Sequence, residues 1–202
     1  MTWIKTIPFE AATGKLRKLY DRVTGPGNNV DNIMMAHSLR PHSMEGHMVL
    51  YKNVLHHTGN SLPKWVLELI GVRVSALNGC EYCVQHHAAG LRRLLDDDAL
   101  ADRVLEAVLT GGVFDAIVDA SIQQMLAYAE LLTTAPQNVT EADIDRLRSV
   151  GLDDGTILEV NQVVAYFAYA NRTVLGLGCT TDGDVIGLSP GNSDDPDDWG
   201  HR

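Results

Sequence analysis

The stretch ALNGCEYCVQHHAAGLRRL, residues 76–94, sets two cysteines three apart and a histidine four residues after the second. The apolar run before it, KWVLELIGVRVSAL (64–77), carries a single acid, Glu68. Asn78-Gly79 is a turn signal between them. The two stretches therefore read as consecutive helices, the second opened by the CxxC and ending near Leu95. Helix, break, helix is the pattern that decides the fold class.

The same pattern extends in both directions. EAATGKLRKLYDRV (10–23) is amphipathic and stops at TGPGNN; NIMMAHSL (32–39) stops before Pro41. Pro41 suits the first turn of a helix reaching His57, and Pro63 opens the apolar helix in the same way. Downstream, Asp98 is the expected cap of ALADRVLEAVLT (99–110), which Gly111-Gly112 closes, and DAIVDASIQQMLAYAELLTT (115–134) is helically spaced. TEADIDRLRSVG has Thr140 at a cap, Asp143 three residues on and Gly151 as a stop. The last long segment, TILEVNQVVAYFAYANRTVLGLG (156–178), has a valine-rich middle, but its length of about 20 residues favours helix over strand. No run has a clean period of two with hairpin signals, so the class is all-α. One helical domain is expected over residues 1–178, with its CxxC core at about 45–130. Residues 179–202, rich in Gly, Pro and Asp, read as a coil-like tail that orders against something, a neighbouring subunit being one candidate.

Composition narrows the function classes. The chain has 202 residues, 45% hydrophobic and 21% charged, as in a soluble globular protein. Sixteen basic against 26 acidic residues give a net charge of −10. Nucleic acid and anionic membrane both need a positive footprint, so neither is an expected partner. Asn161, Gln162, Asn171 and Arg172 interrupt the longest apolar segment, which reads as a buried helix and not a membrane span. The N-terminus has no signal-peptide core. Three cysteines make no secreted disulfide framework. A cytoplasmic location is the expectation.

At 100° per residue, Cys80, Cys83 and His87 fall within an arc of roughly 60°. Val84, Leu91 and Leu94 share that core-facing stripe; Gln85 and His86 point away, so His86 is expected to meet solvent or a neighbour. Cys80 lies at a helix start, where unpaired N–H groups favour thiolate. Cys83 and His87 form an i,i+4 pair, close enough for the imidazole to take or stabilise a thiol proton. A CxxC entering a helix also brings its sulfurs within disulfide range. In one continuous helix Glu68 would lie about 18 Å from Cys80. If the chain folds back at Asn78-Gly79, Glu68 comes alongside the stretch from His87 to Gly90, and a relay Glu68–His87–Cys83 becomes possible. Gly71 and Ser75 share its face and permit close approach of another helix.

Other readings of the same residues stay open. A lone CxxC is a weak signal, and Cys80, Cys83, His87 and Glu68 in principle make a zinc set. Glu68 can be a solvated acid and His87 a core histidine. Histidines 37, 42, 47, 56 and 57 lack ligand spacing and read as surface or interface residues; Cys179 reads as structural. LELIGVRVSALNGC (67–80) and LEVNQVVAYFAYAN (158–171) align without gaps, a faint internal echo that sets Glu159 opposite Glu68 and Asn171 opposite Cys80.

Glu68, eleven intervening residues, the Cys80–Cys83 motif, three more and His87 together resemble the AhpD-like / carboxymuconolactone decarboxylase superfamily. SALNGCEYCVQHH is most similar to its peroxidase-related branch, and VTEADIDRLRSVGLDD and AYFAYANR also look like that branch. The resemblance implies an AhpD-like helical bundle that forms homo-oligomers. It implies an alkyl hydroperoxide reductase or thiol–disulfide oxidoreductase using a peroxide substrate and a thiol or disulfide reductant, with no metal or other cofactor. It also implies that Cys83 becomes the sulfenic acid and Cys80 its disulfide partner, whereas helix-terminus reasoning favours Cys80 as the more acidic thiol. In one departure, Tyr82 stands where the antioxidant members carry a histidine. A phenol with a pKa of about 10 carries protons poorly at neutral pH. Decarboxylase members lack the cysteine pair, which sets decarboxylation aside. The competing class is a non-catalytic oligomer with a structural or zinc-binding CxxC. Assembly is also expected because segments 63–77 and 157–177 are apolar on almost every face and ask for cover.

Overall fold

The computed structural model describes residues 1–111 and 118–202. The described residues contain nine α-helices and no β-strand: α1 (Gly14–Val23), α2 (Asn32–Ala36), α3 (Pro41–Leu55), α4 (Lys64–Leu77), α5 (Glu81–Leu95), α6 (Asp98–Thr110), α7 (Ala120–Thr134), α8 (Glu141–Ser149) and α9 (Asp154–Leu177). The all-α expectation holds.

Local signals explain most boundaries. Pro41 occupies the first turn of α3, where its missing N–H has no partner to lose. Thr140 and Asp143 form a reciprocal capping box on α8. The cap of α6 is one residue earlier than expected: Asp97, not Asp98, accepts from the Leu100 N–H at 3.0 Å. Asp119 accepts from the Ile122 N–H at 3.0 Å and starts α7 at Ala120; residues 115–117 of the expected helix lie outside the described residues. The valine-rich segment is helix throughout.

The chain divides into two compact units. One comprises Met1–Gly59 with Arg172–Arg202, the other Asn60–Asn171. The expected boundary at residue 178 does not coincide with this division, because residues 179–202 pack with the N-terminal segment.

In the Asn60–Asn171 unit, α4 is central. Every residue from Val66 to Ser75 is buried, and α4 packs on α5, α6 and α7. Each buried Val, Leu or Ile side chain contributes about 1.5–3 kcal/mol relative to exposure. Arg73 ties the layers together: its Nη1 donates to the Val108 carbonyl at 2.9 Å and its Nη2 to Glu130 at 2.7 Å. The apolar faces of α4 are thus covered by the chain itself.

In the other unit, α1 buries Leu16, Leu19, Tyr20 and Val23, one stripe at helical spacing. The tail is anchored on its own chain. Lys52 Nζ donates to the Gly191 carbonyl at 2.6 Å and to Ser193 Oγ at 2.8 Å, and the Arg22 guanidinium covers the buried Trp199 ring at 3.5 Å. Two of the five histidines expected at the surface or an interface are buried within the chain. His47 and His56 are buried, His47 beside the His37 ring at 5.2 Å and His56 edge-on to Tyr51 at 4.6 Å. Their helix turns its i, i+3, i+4 face inward with Met44, Met48 and Tyr51, and neutral imidazole is apolar enough to join it.

Candidate active site

Gly79 has φ +68°, a left-handed conformation that glycine adopts at little cost. It reverses the chain between α4 and α5, and the Cys80 N–H closes the turn on the Ser75 carbonyl at 2.9 Å. The reversal lays α5 along α4. Glu68, 2% exposed, has its Oε2 at 2.7 Å from His87 Nδ1. Gly90 lies against the acid: a Cβ at that position would stand at an ordinary contact distance, 3.5 Å from the Glu68 carboxyl.

A second helix fixes the imidazole. The His87 ring meets Phe167 edge-on, with centroids 4.6 Å apart and planes at 83°. Phe167 is fully buried, and any Cβ at position 71 would overlap its ring. The small face that Gly71 and Ser75 make on α4 thus receives α9: Phe167 sits on Gly71, and Asn171 Nδ2 donates to Ser75 Oγ at 3.1 Å.

Cys80 and Cys83 are free thiols, both buried. Hydrogen bonds with the Cys83 side chain and then the Cys83 backbone, aided by a smaller one from the Asn171 side chain, hold the Cys80 thiol below the ordinary thiol range. Burial and the nearby Glu81 charge oppose that shift. Glu68 and His87 are in direct contact, the two thiols are in direct contact, and Cys83 and His87 lie one turn apart on α5. No group of three His, Cys, Asp or Glu side chains among the described residues is placed to hold a metal ion; the four residues weighed as a zinc set do not converge.

Two expectations about α5 need correction. His86 does not face solvent: it is buried and stacks on Tyr82 with ring centroids 4.7 Å apart. The fold covers that side of α5 as well, which a single-helix projection does not reveal. Leu94 leaves the stripe and is 37% exposed, whereas Leu91 is buried. Glu159, the echo of Glu68, accepts from the Ser61 and Leu62 N–H groups at 2.7 and 2.9 Å and fixes the entry to α4. One contributor, Phe167, escaped the motif. Asn171 had one signal, its position opposite Cys80 in the internal echo.

The fold and this constellation define a class, an all-α protein whose CxxC opens a helix beside a buried Glu–His pair. Residues 41–120 match the Carboxymuconolactone decarboxylase family. The matched segment runs from α3 to the start of α7 and includes Glu68, the CxxC and His87. The fold of the chain is similar to that of an uncharacterized peroxidase-related protein with an alkylhydroperoxidase AhpD core from Ralstonia eutropha JMP134, at 24% identity and TM-score 0.74, with 89% of this chain and 92% of that one covered. It is also similar to an uncharacterized peroxidase-related protein from Silicibacter sp. TM1040, at 26% identity and TM-score 0.73, with 89% and 91% covered. The debrominase Bmp8, solved with 2,3,4-tribromopyrrole, shares the fold at 15% identity and TM-score 0.64, with 83% of each chain covered. No curated protein matches the chain.

Proposed function

We propose that the protein is a thiol-dependent alkyl hydroperoxide reductase or thiol–disulfide oxidoreductase that works through Cys80 and Cys83. The observation that carries this reading is the buried Glu68–His87 pair at 2.7 Å, one helical turn from Cys83. With Nδ1 donating to the carboxylate, Nε2 is left as the atom able to take the Cys83 proton. Cys83 thiolate attacks the terminal oxygen of the peroxide, and the O–O bond breaks. The alkoxide leaves as alcohol with the proton from His87, and the sulfur becomes a sulfenic acid. Cys80 thiolate then attacks that sulfur, the S–S bond forms, and hydroxide leaves as water on protonation. A dithiol reductant returns two electrons and two protons. The peroxidase-related names of two structural relatives support the same class.

Both thiols are buried, 0% and 3% exposed, and this favours one second reading, in which the pair is structural and inert. One experiment separates the two readings. Reduced protein is mixed with tert-butyl hydroperoxide and excess dithiothreitol, and peroxide loss is followed for wild type and Cys83→Ser. Catalytic consumption lost in the variant supports the reductase, whereas consumption at the buffer rate by both supports the structural pair.

The physiological form is proposed to be a cytoplasmic homo-oligomer. No helix among the described residues is long and apolar enough to cross a membrane. Since α4 is covered within the chain, the remaining candidate for a subunit contact is α9, where Leu158 and Tyr169 are 58% and 40% exposed on one stripe. Light scattering tests this directly, a particle of 22.1 kDa being the contrary result.

A further inference from the structure

We infer that Asn171 is a positioning residue of the redox pair, which together with the Cys83 backbone holds the Cys80 sulfur as the thiolate that closes the disulfide and later leaves it. The inference deepens the thiol reading above and rests on it. Asn171 is completely buried on α9, where an amide must find partners for its carbonyl and its N–H groups. Asn78, at the end of α4, donates its Nδ2 to Asn171 Oδ1 at 2.9 Å. That contact fixes which end of the amide is the donor. Asn171 Nδ2 then donates to Ser75 Oγ at 3.1 Å, and its side chain also hydrogen-bonds Cys80. Ser75 holds the same cysteine from the main chain, through the Cys80 N–H on its carbonyl at 2.9 Å. The donor and the sulfur are thus fixed to one another by the reversal between α4 and α5, and not by a mobile surface chain.

An amide N–H stabilises an anionic sulfur more than a neutral thiol. Being uncharged, it leaves no buried ion behind when the sulfur is in the disulfide. Two steps gain from it. In closure, Cys80 is already the nucleophile when Cys83 carries the sulfenic acid. In recycling, the reductant thiolate attacks the Cys83 sulfur, because Cys80 is the better leaving group. The Cys80–Cys83 bond breaks, a mixed disulfide forms on Cys83, Cys80 departs as thiolate, and the reductant's second thiol releases Cys83. The division of labour follows: Cys83 meets peroxide and reductant, and Cys80 meets only Cys83. It also reconciles an acidic Cys80 with Cys83 as the peroxide-reactive sulfur.

The test uses the full-length protein with Asn171→Leu, which keeps the volume and removes the donor, and Asn171→Ala in case the leucine variant does not fold. Reduced samples are alkylated with iodoacetamide across pH, and the modification of each cysteine is read by mass spectrometry, Cys179 serving as the internal reference. The Cys80 midpoint is expected to rise by about one pH unit, the scale of one hydrogen bond to a charged group. The disulfide, equilibrated with dithiothreitol, should become about tenfold harder to reduce, or about 30 mV lower in potential. An unchanged Cys80 midpoint and potential in a folded variant overturn the assignment. A shifted Cys80 in a protein that does not consume peroxide upholds Asn171 and removes the peroxidase reading alone.

Discussion

Glu68 Oε2 and His87 Nδ1 lie 2.7 Å apart, with side chains only 3% and 13% exposed. A carboxylate this deep in an apolar helix must be hydrogen-bonded, and His87 is its partner across the α4–α5 reversal. One ring nitrogen, Nδ1, is thereby committed to the Glu68 carboxyl. His87→Ala should slow peroxide reduction by ~10²–10⁴-fold, the usual worth of a positioned general base. Glu68→Gln should act in the same direction and less severely, because the amide oxygen can still accept from Nδ1. Stopped-flow rates against pH check this, and identical profiles for wild type and both variants would show that the pair serves only the core.

Two glycines beside the site should respond in opposite ways. Gly71→Ala drives a methyl into the Phe167 ring. Overpacking of this kind costs about 1–3 kcal/mol, and it shifts the ring that holds His87, so both melting temperature and thiol reactivity should fall. At Gly90 the added methyl stands at an ordinary contact distance, 3.5 Å from the Glu68 carboxyl. Alanine is also favoured over glycine in a helix by about 1 kcal/mol, so Gly90→Ala should be neutral or stabilising. Thermal melts of the two variants that move together would contradict this packing account.

The sequence carried the helices and the constellation unevenly. Capping residues such as Thr140 and Asp143, and the Asn78-Gly79 break, act over a few residues and are therefore readable in one dimension. Spacing placed Glu68 near His87 once the break was taken as a reversal. Phe167 lies eighty residues from His87, and only the packing of α9 onto Gly71 brings them together; no local pattern encodes that. His47 and His56 misled for a related reason. Histidine is equally at home on a surface and, when neutral, in a core, so composition alone does not choose. The tail looked like coil, and it has neither helix nor strand. Its anchors, Lys52 and Arg22, come from the N-terminal segment, far from it in sequence.

The buried histidines make stability sensitive to acid. Burial, followed by the His37 and His201 charges, holds His47 down to about 3 from an ordinary 6.5. His37 is also lowered, by burial. A depressed histidine binds its proton in the unfolded chain first. The native state is therefore favoured in full above about pH 6.5, and stability falls by up to about 1.4 kcal/mol per pH unit as pH drops toward 3. Urea midpoints at pH 7, 6, 5 and 4 for wild type and His47→Leu isolate this group, because the other titrations are common to both. The variant should lose less stability on acidification, and parallel curves would show that His47 does not contribute.

The most direct test of the central claim is the oxidation state of the three cysteines after mild peroxide. Reduced protein is treated with one equivalent of hydroperoxide, quenched with an alkylating reagent under denaturing conditions, digested and analysed by mass spectrometry. A redox pair predicts a Cys80–Cys83 disulfide that reverses with dithiothreitol, while Cys179, buried elsewhere in the chain, stays alkylated. Oxidation confined to Cys179, with Cys80 and Cys83 both recovered as alkylated thiols, would contradict it.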